Sequence, residues 1–227
     1  AEEAAGLDLI TGGRFIFGIG LGYREVEDRA FGLEKGQRVA RMVDHLKVIK
    51  DLWTGKPANF DAPYCRLKDA VTATRPIQKP HPPVWVAANN DAAVERVAEI
   101  GDTWLINPHS TLATIHRQLG LYRAACARLG KPFPAELPLI REIFVAPTRE
   151  EALRLARPHL EKKYQSYVSW GQHKVLPSDD DMTLAFDDLL RDRFILGDPQ
   201  GCADEIRRSI ELTSASTLLF RFQWAGM

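Results

Sequence analysis

From Gly18 to Gly22 glycine takes every second position, while Phe15, Phe17, Ile19 and Leu21 take the alternating ones. In an extended strand successive side chains point to opposite faces. One face of the segment 13–22 is therefore apolar and can pack on helices, while the other has almost no side-chain volume. Glycines in register weaken a strand, and they mark a place where a ligand or another backbone comes close. Two readings follow: a surface against which something flat can lie, or a tightly twisted strand crowded at a barrel corner.

Known phosphate motifs do not account for the segment. A dinucleotide fingerprint needs Gly-x-Gly-x-x-Gly opening a helix, but Gly20-Leu21-Gly22-Tyr23-Arg24-Glu25 has glutamate at the third glycine, and there is no Walker loop. A polar connection runs from Tyr23 to Gly36. Then Val39, Met42, Val43, Leu46, Ile49, Leu52 and Trp53 recur at helical spacing. The order is strand, loop, helix.

The run GGRFIFGIGLGYREVEDRAFGLEKGQRVARMVDHLKVIKDLWTG closely resembles the fourth strand and following helix of the bacterial luciferase-like family of flavin-dependent enzymes. The resemblance continues through Pro82 to Asn90, Ala98 to Leu105, Ile195 to Pro199 and Arg221 to Met227, and is weakest from about 162 to 193.

Composition narrows the partners. The 227 residues are 45% hydrophobic and 26% charged, with 30 Lys plus Arg against 30 Asp plus Glu. No excess of charge favours nucleic acid or an anionic membrane. Three dispersed cysteines, Cys65, Cys126 and Cys202, fit neither a disulfide framework nor a zinc site, and they suit a reducing cytoplasm. No apolar run approaches a membrane span, and no signal-peptide pattern is present. The six histidines show no metal-ligand spacing, and Asp179-Asp180-Asp181 lacks the pattern of a calcium loop, so no metal is expected.

Further strand and helix units follow. A long connection from Gly55 to Pro83 leads to a strand at Val84 to Ala88 and a helix at Ala92 to Ile100. Thr103 to Ile106 is a short strand, followed by a helix capped by Ser110 or Thr111 and closed by Gly130. Leu139 to Ala146 is a strand, and Thr148-Arg149-Glu150-Glu151 is a capping box whose helix Pro158 should break or kink. Residues 162–193 read as an insertion, either covering a site or adding helical packing. Asp198-Pro199 opens a last helix before the strand Thr217 to Phe222.

Alternating strands and helices imply parallel pairing with right-handed crossovers. A (β/α)8 TIM barrel needs eight strands, and about five are read here. The resemblance implies one α/β domain over 1–227, a partial luciferase-like barrel lacking its first three strands and last helix. A five-stranded open sheet is the alternative. Five parallel strands cut from a closed barrel would leave two uncovered edges, so these residues are not expected to form a self-sufficient domain.

In barrels the site lies just beyond the C-terminal ends of the strands. Those positions hold Gly20, Leu21, Gly22, Tyr23 and Arg24, then Ala88, Asn89 and Asn90, then Asn107, then Arg221, Gln223 and Trp224. Glycine surface, amides, an aromatic ring and a guanidinium suit a flavin. The resemblance places the cofactor at Gly20, Leu21, Gly22, Tyr23, Ala88, Asn89, Asn90 and Asn107, with its phosphate at the helix start after Asn90. An ordinary Asn cap is the alternative there, and Asp91 would repel phosphate unless it points away. Tyr23 and an Arg24 paired to Glu25 or Glu27 could instead be plain surface groups. On the last strand either Leu219, Arg221 and Gln223 or Phe220, Phe222 and Trp224 face inward; Arg221 and Gln223 are the expected catalytic pair.

No serine or cysteine nucleophile motif is present, which suits an enzyme whose cofactor carries the electron chemistry. The resemblance implies an FMN-dependent monooxygenase that uses reduced flavin and dioxygen on a small organic substrate. A separate flavin reductase and a homo-oligomeric complete protein go with it. A deazaflavin-dependent hydride-transfer enzyme and a non-catalytic flavin-binding protein are the alternatives.

Overall fold

In the computed structural model, which describes residues 1–34 and 36–227, the chain forms two compact units. The first comprises residues 1–86 with 100–102, and the second residues 87–99 with 103–227.

The first unit contains α1 (Glu2–Ile10), β1 (Phe17–Ile19), α2 (Glu25–Ala30), α3 (Arg38–Thr54), a hairpin of β2 (Ala58–Ala62) and β3 (Cys65–Ala70), and the start of β4 (Val84–Ala88). β1 pairs in parallel with β4, Phe17 opposite Val84 and Ile19 opposite Val86. Leu46, Val48 and Trp53 of α3 are buried, and the Phe17 ring meets the edge of Trp53 at 5.4 Å between centroids. The Trp53 indole N–H donates to the Ala1 carbonyl at 3.0 Å. Asp8 is fully buried and accepts from the backbone and side-chain amides of Gln78 at 3.0 and 2.6 Å, which ties α1 to the segment leading into β4.

Two sequence expectations need correction in this unit. The strand expected over 13–22 is regular only at Phe17–Ile19, the residues that find β4 as a ladder partner. Gly13 and Gly22, both at φ +77°, turn the backbone on either side of it. The connection from Gly55 to Pro83 holds the antiparallel hairpin, in which Phe60 faces Leu67 and Ala62 faces Cys65 around the turn Pro63-Tyr64. Asp61, Arg66 and Lys68 alternate with these residues and are exposed on the outer face.

The second unit contains the end of β4, α4 (Asp91–Ile100), β5 (Thr103–Ile106), α5 (Leu112–Arg128), β6 (Pro138–Val145) and α6 (Arg149–Ser169). A 3-10 turn over Gln172–Val175, α7 (Phe186–Leu189), β7 (Phe194–Gly197), α8 (Pro199–Thr213) and β8 (Thr217–Arg221) follow. β6 pairs in parallel with β5, β7 and β8. The caps form as the sequence indicates: Thr111, Thr148 and Asp198 accept from the amides of Thr114, Glu151 and Gly201. Helices cover both faces of β6 and β7. Phe144, Phe194 and Leu196 pack with Ala156, Leu160 and Tyr164 of α6, whereas Ile143 and Ile195 pack with Cys202 and Ile206 of α8.

Helix α6 runs through Pro158 without the break that the sequence allowed. An internal proline removes one backbone bond and crowds the preceding turn, at a cost of about 3 kcal/mol. Ala152 and Ala156 before it, and Leu160 and Tyr164 after it, are all buried, and this apolar face holds the helix together across the defect.

Candidate functional site

In the first unit the predicted two-faced segment is present. Gly18, Gly20 and Gly22 are exposed, and Phe15, Phe17, Ile19 and Leu21 are half-buried. A Cβ added at Gly18 or Gly22 would meet no heavy atom within 4 Å. Crowding within this unit therefore does not explain these two glycines, and open space in front of them remains. Trp85, opposite Gly18 in the parallel ladder, shares the glycine face. Gly22 carries a second constraint, its left-handed φ of +77°. Arg24 forms an ion pair with Glu27 at 2.6 Å, and Tyr23 is half-buried.

The turn after β4 lies in the second unit and brings Ala88, Asn89 and Asn107 together. The Asn107 side-chain amide donates to Asn89 Oδ1 at 2.9 Å, and the Trp104 indole donates to the Ala88 carbonyl at 3.1 Å. Gln118, fully buried on α5, donates to the Asn89 carbonyl at 2.8 Å. Asn90 caps α4, its Oδ1 accepting from the Ala93 amide at 2.9 Å. Asp91 is gripped by Arg117 at 2.8 and 3.1 Å and by Gln118 at 2.9 Å. Its carboxyl is accordingly held below the usual range, chiefly by Arg117. The feared repulsion of a phosphate is largely neutralised by that partner.

The neighbourhood of Arg221 is richer than its sequence suggests. Arg221 stands opposite Glu142 in the β6–β8 ladder, with Nη1 at 3.4 Å from Glu142 Oε1 and 3.4 Å from the Tyr167 hydroxyl. Glu142 is fully buried, and it also accepts from Lys163 Nζ at 2.7 Å and from the Trp224 indole N–H at 2.6 Å. Burial pushes the Lys163 ammonium down from its ordinary pKa, and Glu142 opposes that shift. Phe220 packs with the α8 cluster, so Arg221 lies on the opposite face as expected. Trp224 does not follow Phe220 and Phe222 outward. The strand ends at Arg221, the chain turns, and the indole is buried against Glu142. Gln223 is exposed.

A second polar cluster lies beyond β5. His109 is 6% exposed, and the rings of Tyr164 and Tyr167 stand edge-on to it at 6.3 and 4.9 Å. The side-chain amide of Gln172 lies 3.3 Å from His109 Nδ1. Burial, reinforced by Arg221, Lys163, Arg141 and Arg193, pushes the imidazole down to about 3. Arg193 is buried and donates to the His109 carbonyl at 2.9 Å and to Asp180. The sequence hinted at these groups only through charges inside apolar runs, Arg141-Glu142 and Arg193 before Phe194. Among the described residues no group of three or more His, Cys, Asp or Glu side chains could hold a metal ion, and no helix is long and apolar enough to cross a membrane.

The parallel strands, their covering helices and the polar groups at the strand ends define an α/β chain built on part of a (β/α) barrel. The sequence profile of the luciferase-like monooxygenase family matches residues 1–216, and the chain belongs to that family. The oxygenase component of a flavin-dependent trigonelline monooxygenase from Acinetobacter baylyi is 25% identical over 221 residues, covering 91% of this chain and 61% of the relative. The chain thus spans about three fifths of that protein. The fold matches the oxygenating constituent of 3,6-diketocamphane monooxygenase from Pseudomonas putida, solved in complex with FMN, with a TM-score of 0.75 at 18% identity, over 96% of this chain and 67% of that one. It also matches an F420-dependent secondary alcohol dehydrogenase, solved with an F420-acetone adduct, at 0.76 and 18%, with the same coverage.

Proposed function

We propose that this chain is the flavin-binding part of an oxygenase component that uses reduced FMN and dioxygen to oxidise a small organic molecule, with the flavin reduced by a separate reductase. The observation that carries this reading is the open glycine face of β1, where side chains at Gly18 and Gly22 would occupy free space. A planar ring needs such a surface, and reduced FMN, when bound, would supply the two electrons that activate dioxygen. Gly20, Leu21, Gly22 and Tyr23 would border the ring. Ala88, Asn89, Asn90 and Asn107 would serve the phosphate end. With its oxygen taken by Asn107, Asn89 has its amide N–H groups to offer an anion. Asn90 is committed to its cap. Arg221, held by Glu142 and Tyr167, and the exposed Gln223 would orient the substrate.

The three cysteines are free thiols, which accords with a reducing cytoplasm. Among the described residues β1 pairs with β4 alone, and β7 and β8 with β6 alone, which accords with completion by further strands or by a second copy. The likeness to the F420-dependent dehydrogenase favours a second reading, hydride transfer from a deazaflavin. Titrating the protein with FMN and with deazaflavin, and following dioxygen uptake with a flavin reductase, separates the two. Tight FMN binding with reductase-dependent uptake supports the oxygenase. Binding of deazaflavin alone, without uptake, replaces it.

A further inference from the structure

Beyond the C-terminal end of β8 a cavity of about 330 Å³ opens between α6 and the segment Gln223 to Ala225. Its walls include His159, Lys162, Lys163, Tyr167, Trp170 and Trp224, and no aspartate or glutamate lines it. Glu142, bonded to two of the lining residues, is fully buried, with Oε1 taken by Lys163 and Arg221 and Oε2 by Trp224. One carboxylate thus faces two cations, and Lys162 adds a third positive charge at the rim. An anion entering here meets surplus positive charge in partly desolvated surroundings, where Coulomb attraction is stronger than in water. The other walls are aromatic. Tyr167 and Trp170 stand edge-to-face at 6.0 Å, and the buried Trp224 lies among them. The volume is near the lower end for ligand pockets, enough for a single ring with a short substituent.

We propose that this cavity binds small aromatic carboxylates, the ring against Tyr167, Trp170 and Trp224 and the carboxylate toward Lys162 and Lys163. As the substrate class of the oxygenation, this rests on the function proposed above. The cavity's own preference does not depend on the flavin. Lys163 plays a double part, since the ammonium that holds Glu142 also presents charge to the cavity.

The test is binding to the full chain without flavin, followed by tryptophan fluorescence, because Trp170 and Trp224 line the cavity. Benzoate, benzamide and inorganic phosphate are the probes, with FMN titrated in parallel. Saturable quenching by benzoate, at least about tenfold weaker binding of the neutral benzamide, and no competition from phosphate are expected. Lys162→Met, which leaves the Glu142 cluster whole, should weaken benzoate severalfold without moving the urea midpoint. Equal affinity for benzamide, or equal competition by phosphate, would overturn the proposal, the second by making the cavity a general anion site. FMN binding with no benzoate response removes this inference and leaves the oxygenase reading standing. A benzoate response without FMN binding supports the cavity and removes the oxygenase.

Discussion

The indole N–H of Trp224 donates to the buried carboxylate of Glu142 at 2.6 Å, joining the segment after β8 to the middle of β6. The same carboxylate holds Lys163 from α6 and Arg221 from β8, so one side chain links three elements. Removing it strands a mostly buried ammonium and an indole donor. Glu142→Ala should cost roughly 2–4 kcal/mol of unfolding free energy, and Glu142→Gln, which keeps an acceptor for the indole, should cost less. Urea denaturation measures both. An unchanged midpoint for Glu142→Ala would show that the cluster contributes nothing to stability.

Gly18 sits in regular β1 with room for a side chain, so Gly18→Val should keep the unfolding free energy within about 0.5 kcal/mol and weaken FMN by at least tenfold. Gly22→Val adds strain of roughly 1–2 kcal/mol from its left-handed backbone and mixes the two effects. Gly18→Val is therefore the cleaner probe. Wild-type FMN affinity in the folded variant would remove the flavin from the glycine face.

At the turn after β4, FMN should bind more tightly than riboflavin, which lacks the phosphate, and Asn89→Ala should narrow that gap by about tenfold. Asn90→Ala should mainly lower stability, by about 1 kcal/mol, as the loss of a helix cap does. Equal affinities for FMN and riboflavin would place the phosphate elsewhere.

His109 is neutral when buried, its pKa lowered from 6.5 to about 3. The unfolded chain therefore binds a proton at this residue where the folded chain does not, and stability must rise with pH across that window. The contribution is complete above the unfolded value and is lost progressively as pH falls from 6.5 toward 3. Asp91, Asp181 and Asp198, also depressed, act in the same direction but start from 3.8. His109→Gln should flatten the dependence between about pH 7 and about pH 5. Urea midpoints at the two pH values read this directly, and identical slopes in wild type and variant would contradict the burial argument.

Much of the architecture was legible because its signals are local. The period of two at Phe15 to Leu21, the caps at Thr111, Thr148 and Asp198, and the apolar runs of β4, β5, β6 and β8 each lie within a few neighbouring residues. The hairpin escaped notice because its strands are short and lie inside a connection rich in proline, although Phe60 and Leu67 do alternate with exposed polar residues. Pro158 does not break α6 because the burial that sustains the helix comes from tertiary packing. At the candidate site, the strand-end amides and Arg221 could be named from position alone. The Glu142 cluster could not, since its members lie 21, 79 and 82 residues apart in sequence and only the folded sheet brings them together. The same distance hid the environment of His109, whose partner Gln172 is 63 residues away.

The pairing of Glu142 with Arg221 also guards the sheet against misassembly. A slip of β8 by one position along β6 would set Phe220 against the buried carboxylate and drive the guanidinium toward Ile143, Ile195 and Cys202. Side-chain faces invert with every single-residue slip, and an isolated buried charge is far more costly than a mismatched methyl group. A wholly aliphatic strand could slide to a neighbouring alignment at little loss. With Glu142 fixed in its middle, β6 disfavours a one-residue slip of β8, and the observed alignment delivers Gln223 and Trp224 to the end of the strand.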